Sequence, residues 1–232
     1  MLKKGRFEVN ESIATSHKKQ RIIIIVSVIA CLFIVIGILF YFLGVPLLKY
    51  QNAKKEMQAG NYDIAKEILV GLDDYKDANA LVKNIENSKS CLQHIESLKN
   101  SIYESFNTLK SIESCWQKHW YKYATGEYKN TLVIFAYVRV EVGDKQDSAK
   151  TQKSTIDEAY NTILGFSDGA TDVFLNEAIN CATEIYNSYC SYYGFVDEPR
   201  SDHSYLTYVD ENEEWCNKLE SLFNQINYYI NR

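Results

Sequence analysis

Proline is nearly missing from this chain: Pro46 and Pro199 are the two occurrences in 232 residues. A backbone with so few breaks is suited to long uninterrupted helices. The short motifs of several catalytic classes are missing as well. There is no P-loop, no Gly-rich dinucleotide fingerprint, no GxSxG and no HExxH, so nucleotide-binding, serine-hydrolase and zinc-protease chemistry have no signature here. No CxxC occurs. Basic charge is also short. Residues 1–21 hold six Lys/Arg (Lys3, Lys4, Arg6, Lys18, Lys19, Arg21) against Glu8 and Glu11, which leaves 19 basic and 28 acidic residues for the remainder. That balance argues against nucleic acid as a partner, since a basic patch must displace its counterions.

What is present begins with residues 22–43, IIIIVSVIACLFIVIGILFYFL, which carry no charge. At about 1.5 Å per residue this run reaches roughly 33 Å, enough to cross a hydrocarbon core of about 30 Å. The predicted span runs from Ile22 to Leu43 with Cys31 and Gly37 inside it, and Phe40, Tyr41, Phe42 and Tyr50 suit the far interface. The basic residues before it set the N-terminus in the cytoplasm, as a short disordered tail whose Lys18, Lys19 and Arg21 suit anionic headgroups, and residues 45–232 outside. The run is too long, and too aromatic at its end, for a cleaved signal peptide. Val28-Ile29-Ala30-Cys31 resembles a lipobox, but the chain stays apolar after it, so Cys31 reads as a small apolar residue of the span.

Beyond the span the sequence reads as helix throughout. Residues 47–58 continue the span past Pro46. Ala59-Gly60-Asn61 is a turn with Gly60 available for positive φ, and residues 62–70 form a short second helix. Asp73-Asp74 is read as the acidic start of a third helix at Tyr75-Lys76-Asp77-Ala78. From residue 89 a long amphipathic stripe follows: Cys91, Ile95, Leu98, Ile102, Phe106, Leu109, Trp116 and Trp120, with Gly126 ending it. Residues 131–142, TLVIFAYVRVEV, have the β-branched content of a strand but no partner strand, so helix is expected. Loops are expected at 143–148, at 165–169 and at 194–204, with apolar stripes at 156–164, 174–189 and 215–230. The predicted fold is all-α. It has a tail at 1–21, a transmembrane helix at 22–43, a helical hairpin stalk at 47–88 and a bundle of about four helices at 89–232.

In the hairpin, Ala53, Gly60, Tyr62, Ala65 and Leu69 fall where a tetratricopeptide unit places small, turning, aromatic and apolar residues, and Asp74-Tyr75-Lys76-Asp77-Ala78 follows. With the basic tail and single span, this order resembles a group of uncharacterised single-pass membrane proteins of Gram-positive bacteria. Their extracytoplasmic part carries a tetratricopeptide-like hairpin ending in D-Y-K-D-A. A loop like Glu198-Pro199-Arg200-Ser201 separates their last two helices. The resemblance implies an envelope-exposed helical module and no reaction. The chain departs from the repeat at Leu72 and in lacking a closing proline. One hairpin cannot stand alone, because such repeats bury their faces on neighbours. It is therefore expected to pack on the bundle, as a stiff adaptor using Ala53, Gly60, Tyr62, Ala65, Leu69 and Tyr75.

Candidate sites are few. Cys115 and His119 share one helical face and are zinc-ligand types, as are Cys91 and His94. On one helix the two pairs lie about 36 Å apart and cannot share an ion. They read as buried cysteines with interfacial histidines. The five cysteines after the span (Cys91, Cys115, Cys181, Cys190, Cys216) are odd in number. They indicate no disulfide framework, with room for one or two bridges, and mostly suit buried stripes. The acids Asp197, Glu198, Asp202, Asp210, Glu211, Glu213 and Glu214 lack calcium-loop spacing and read as a solvated loop with helix-start acids. His203 beside Asp202 reads as surface loop, and the 18 tyrosines mostly as bundle-boundary residues. No cofactor, metal or catalysis is inferred. The leading expectation is an integral, single-pass scaffold of the cell envelope that binds another envelope protein. The alternative is a ligand-binding sensor that signals through the span. An exposed apolar patch favours the first, and buried ionisable groups in the bundle favour the second or an enzyme.

Overall fold

A computed structural model describes residues 24–167, 172–197 and 204–231. Among them there are six helices and no strand. Helix α1, Ile24–Gln58, is long and apolar enough to cross a membrane. Cys31, Gly37 and Leu43 are exposed along it, and Ile22 lies outside the described residues. The helix does not stop at Pro46. A π-turn at Phe40–Gly44, closed by the Val45 amide on the Phe40 carbonyl, precedes the proline. A wider turn is one way for a helix to absorb the hydrogen bond that proline cannot make.

Helix α1 ends as its sequence indicates. Gly60 takes φ +79°, its amide donates to the Met57 carbonyl, and the Asn61 amide donates to Glu56. That paired closure satisfies carbonyls a helix end would otherwise leave open. Helix α2, Tyr62–Val70, returns along α1. Ala53, Ala65 and Ala78 are completely buried, so the helices meet backbone to backbone.

Helix α3, Ala78–Ala124, corrects the expected start at Tyr75. Its cap residue is Asp77, whose carboxylate accepts from Tyr50 rather than from the helix amides. It runs unbroken across residues 88–89, so the stalk's third helix and the bundle's first helix are one element. Gly126, φ +81°, closes it by the same paired hydrogen bonds as Gly60.

Helix α4 spans Thr131–Ser167, which makes 131–142 helical. The loop expected at 143–148 is helix as well. The chain bends at Val142 (φ −134°, ψ 19°) beside Gly143 and carries on, because the stripe through Ala149, Ile156 and Ile163 still needs burial. Of the break expected at 165–169, residues 165–167 are helical, and 168–169 lie outside the described residues. Helix α5, Val173–Asp197, absorbs the first four residues of the loop expected at 194–204, and helix α6, Tyr205–Ile230, starts at a Ser204 cap. Glu198, Pro199, Asp202 and His203 lie outside the described residues. Asp210 to Glu214 sit past the first turn of α6, so the expected helix-start role is withdrawn.

Helices α3 to α6 form an up-down-up-down bundle in which α3 packs against α2, α4, α5 and α6. Leu98, Ile102, Phe106, Leu109, Ile163, Ile185, Tyr189 and Ile226 lie in its core, with Cys91, Cys115 and Cys181 also buried. A second core joins α1, α2 and the start of α3 with Phe174 of α5.

Candidate functional site

Two junctions stand out, one at each end of the bundle. At the base, nearer the apolar helix α1, the hairpin is clasped on both sides. Tyr75 packs edge-on against Tyr50 at 6.0 Å, and the Lys76 ammonium lies 4.8 Å from the Tyr50 ring. Together with the Tyr50–Asp77 hydrogen bond, this accounts for Tyr75, Lys76 and Asp77 of the D-Y-K-D-A segment: they hold the outer end of α1. Lys76 and Asp73 adopt positive φ to do so.

On the other side, Tyr62 donates to both oxygens of Asp172, at 3.1 and 3.0 Å. Asp172 is buried, also accepts from Ser88 at 3.3 Å, and caps α5 by accepting from the Leu175 amide at 2.7 Å. Burial, then the Asp172 charge, pushes the Tyr62 phenol well above its ordinary range. The Phe174 ring sits so close to Gly60 that a Cβ there would lie 2.6 Å from it. Ala53, Gly60, Tyr62, Ala65 and Leu69 are all buried at this junction, with Tyr75 half-buried beside them.

At the tip, α3 and the first half of α4 bring together residues the sequence kept apart. Cys115 and His119 are both buried on one face of α3, and Glu141 of α4 meets them. Their donor atoms lie within 4.8 Å of one another. Glu141 Oε2 is 3.1 Å from His119 Nε2, and Lys118 bonds both Glu141 oxygens at 2.8 and 2.9 Å. The Tyr128 hydroxyl is 3.0 Å from His119 Nδ1, and Tyr137 stacks on the imidazole at 5.5 Å. The Lys118 and His119 hydrogen bonds hold the Glu141 carboxyl down at about 2. Burial, then the Glu141 charge, pushes the Cys115 thiol up to about 11.

A Cys–His–acid relay is not assembled here. Glu141 and Tyr128 occupy the two imidazole nitrogens, the thiol faces Glu141, and a thiol raised this far is a poor nucleophile. Cys91 and His94 do not converge: Cys91 is buried, while His94 is exposed beside Phe166. Glu141 was invisible in the sequence because its place depends on the length of the α3–α4 turn and the bend at Val142.

Beside this cluster the outer face of α4 is apolar and open. Val140 is 87% exposed and Leu132 71%, with Phe135 and Tyr137 alongside. Phe135 rests edge-on against the buried Trp116 at 5.1 Å. Farther inside, Glu113 is buried with its Oε1 unpartnered, and the buried Tyr208 hydroxyl is unpartnered too. Burial raises the Glu113 carboxyl to about 7. Tyr192 donates to Asn212 at 3.1 Å, and the Cys216 thiol faces both. Comparison with known proteins returns no matching family model, no matching curated protein and no matching solved structure.

Proposed function

We propose that this chain is a membrane-anchored extracytoplasmic scaffold, a protein-interaction module of the cell envelope with no catalysis of its own. In this reading α1 crosses the cell membrane with the N-terminus inside, and residues 45–232 lie outside. The observation that carries it is the exposed apolar face of α4, Leu132, Phe135, Tyr137 and Val140, at the end of the bundle away from the hairpin. Two features support it further. The hairpin, which includes the outer end of α1, is packed on the bundle through Phe174, as a stiff adaptor requires. The α3 helix then carries the α4 face outward: from Asp77 to Cys115 is about 57 Å at 1.5 Å per residue. A rigid arm ending in an apolar surface suits docking of a protein partner.

Photo-cross-linking in living cells tests this, with the reactive side chain at Val140 or, as control, at the exposed Lys150 of the same helix. The expected result is one reproducible protein captured from position 140 and not from 150, and lost with Leu132→Asp. Equal capture from both positions, or none from either, removes this reading.

One observation favours a ligand-binding sensor as the second reading. Glu113 and Tyr208 place unpartnered polar atoms inside the bundle. The hairpin clasp would carry a change there to α1. A small molecule that raises the bundle's melting temperature in the native chain, with the effect lost in Glu113→Gln, would move this reading ahead.

A further inference from the structure

We propose that Cys115, His119 and Glu141 form a binding site for a single divalent cation of the zinc class, tying α3 to α4 at the tip of the bundle. The argument starts from donor types. A sulfur, an imidazole nitrogen and a carboxylate oxygen are the three side-chain donors zinc accepts, and they are poorly matched to calcium or magnesium, which take oxygen alone. Helix geometry supplies the first two, because residues four apart share a face. The bend at Val142 lies one residue past the third donor, where α4 leaves regular helix against α3.

Spacing agrees with one ion. Around a tetrahedral zinc, neighbouring donors sit about 3.3–3.6 Å apart, given ligand distances of about 2.0–2.3 Å. His119 Nε2 and Glu141 Oε2 are already at 3.1 Å, and all three donors lie within 4.8 Å. Closing the three donors onto one ion takes small side-chain rotations, and Glu141, whose side chain is partly exposed, has room to follow them. With three protein donors, the fourth position of a tetrahedral ion would be left to a water.

The surroundings fit a ligand role for each residue. The Tyr128 hydroxyl stands 3.0 Å from Nδ1, so with Nε2 on the ion the Nδ1–H donates to Tyr128, the kind of partner that fixes a ligating imidazole. Stacking on Tyr137 and Tyr128 holds the ring plane. Glu141 binds through Oε2 and keeps Lys118 on Oε1. Cys115 binds as thiolate and releases its proton to solvent, and the Nε2 proton is released or relocated to Nδ1. A dication on one thiolate and one carboxylate is neutral, and Lys118 stays hydrogen-bonded to the carboxylate, leaving the cluster with a single positive charge. Cys91 and His94 are the internal contrast. They have the same donor types on the same helix, but His94 is exposed and, among the described residues, no third ligand joins them.

The test uses the full chain in detergent micelles, titrated with cobalt(II) and then displaced by zinc(II). The expected result is a thiolate-to-cobalt charge-transfer band that saturates at one equivalent and disappears on zinc addition. Cys115→Ser removes the band and Cys91→Ser keeps it. Glu141→Gln, at an exposed position that leaves the fold intact, weakens binding by at least about tenfold. Helical circular dichroism of each variant confirms folding. No band in the native chain, a band that survives Cys115→Ser in a folded protein, or unchanged affinity in Glu141→Gln overturns the site.

Discussion

The two ends of the bundle are built to different standards. At the base, where hairpin, α5 and α6 meet, the buried polar groups are paired. Asp172 collects Tyr62, Ser88 and the Leu175 amide, and the rings of Tyr62, Phe174 and Tyr229 close over Gly60. In the distal half, polar atoms of Glu113, Trp120 and Tyr208 are buried without partners, and apolar side chains of α4 face water. Buried unpaired groups and exposed apolar ones both cost stability, so a chain that keeps them together keeps them for something other than folding. The base is the paired end, and the distal half carries the proposed contact face.

Breaking the base gives the largest expected effect. Gly60→Val combines a strained positive φ with a side chain driven into Phe174, and should destabilise the protein by about 2–4 kcal/mol. Denaturant unfolding of the full chain in micelles measures it. A loss under about 1 kcal/mol would mean that hairpin and bundle are not tightly joined. Next comes the Tyr62–Asp172 pair. Asp172→Ala removes the Tyr62 and Ser88 hydrogen bonds and the α5 cap, at about 3 kcal/mol, and Tyr62→Phe removes one partner, at about 1–2 kcal/mol. The double variant should cost clearly less than the sum, since both remove the same interaction. Additive losses would show that the two residues act separately.

The last test sharpens the tip. The Glu113 carboxyl titrates at about 7 in the fold against an ordinary 4.5. A raised acid favours folding most when both states are protonated, below about 4.5. That stability drains as pH climbs through about 7 and is constant above. The loss should amount to about 2 kcal/mol with solvent screening included. Glu113→Gln should flatten the pH profile between those limits and leave the native chain less stable than the variant at pH 8. Parallel profiles would assign the pH dependence to other groups.

Legibility followed range. The turn at Gly60, the short helix at 62–70 and the packing of Ala53, Ala65 and Leu69 were readable, because each is written within a few residues as turn chemistry or helical spacing. Boundaries that depended on weak local breakers were misread. Residues 143–148 look like a loop, yet an apolar stripe on either side holds them in α4. Asp73-Asp74 look like the acidic start of a helix, yet the cap position of α3 falls at Asp77, whose carboxylate is taken by Tyr50, 27 positions earlier. The Cys115–His119 pair was visible by spacing, but Glu141 carried no local signal that would join it to them.

The sequence by itself determined the composition-driven features: an all-α chain, one helix apolar enough for a membrane and a hairpin that needs a neighbour. Periodicity and local turn geometry act within a few residues and do not depend on the rest of the fold. Only the tertiary structure decided which distant residues meet. Tyr62 finds Asp172 across 110 positions, and Glu141 reaches His119 across 22. Those meetings are set by the length of α3, the turn after it and the bend at Val142, and each is a sum over a whole helix that no short window contains.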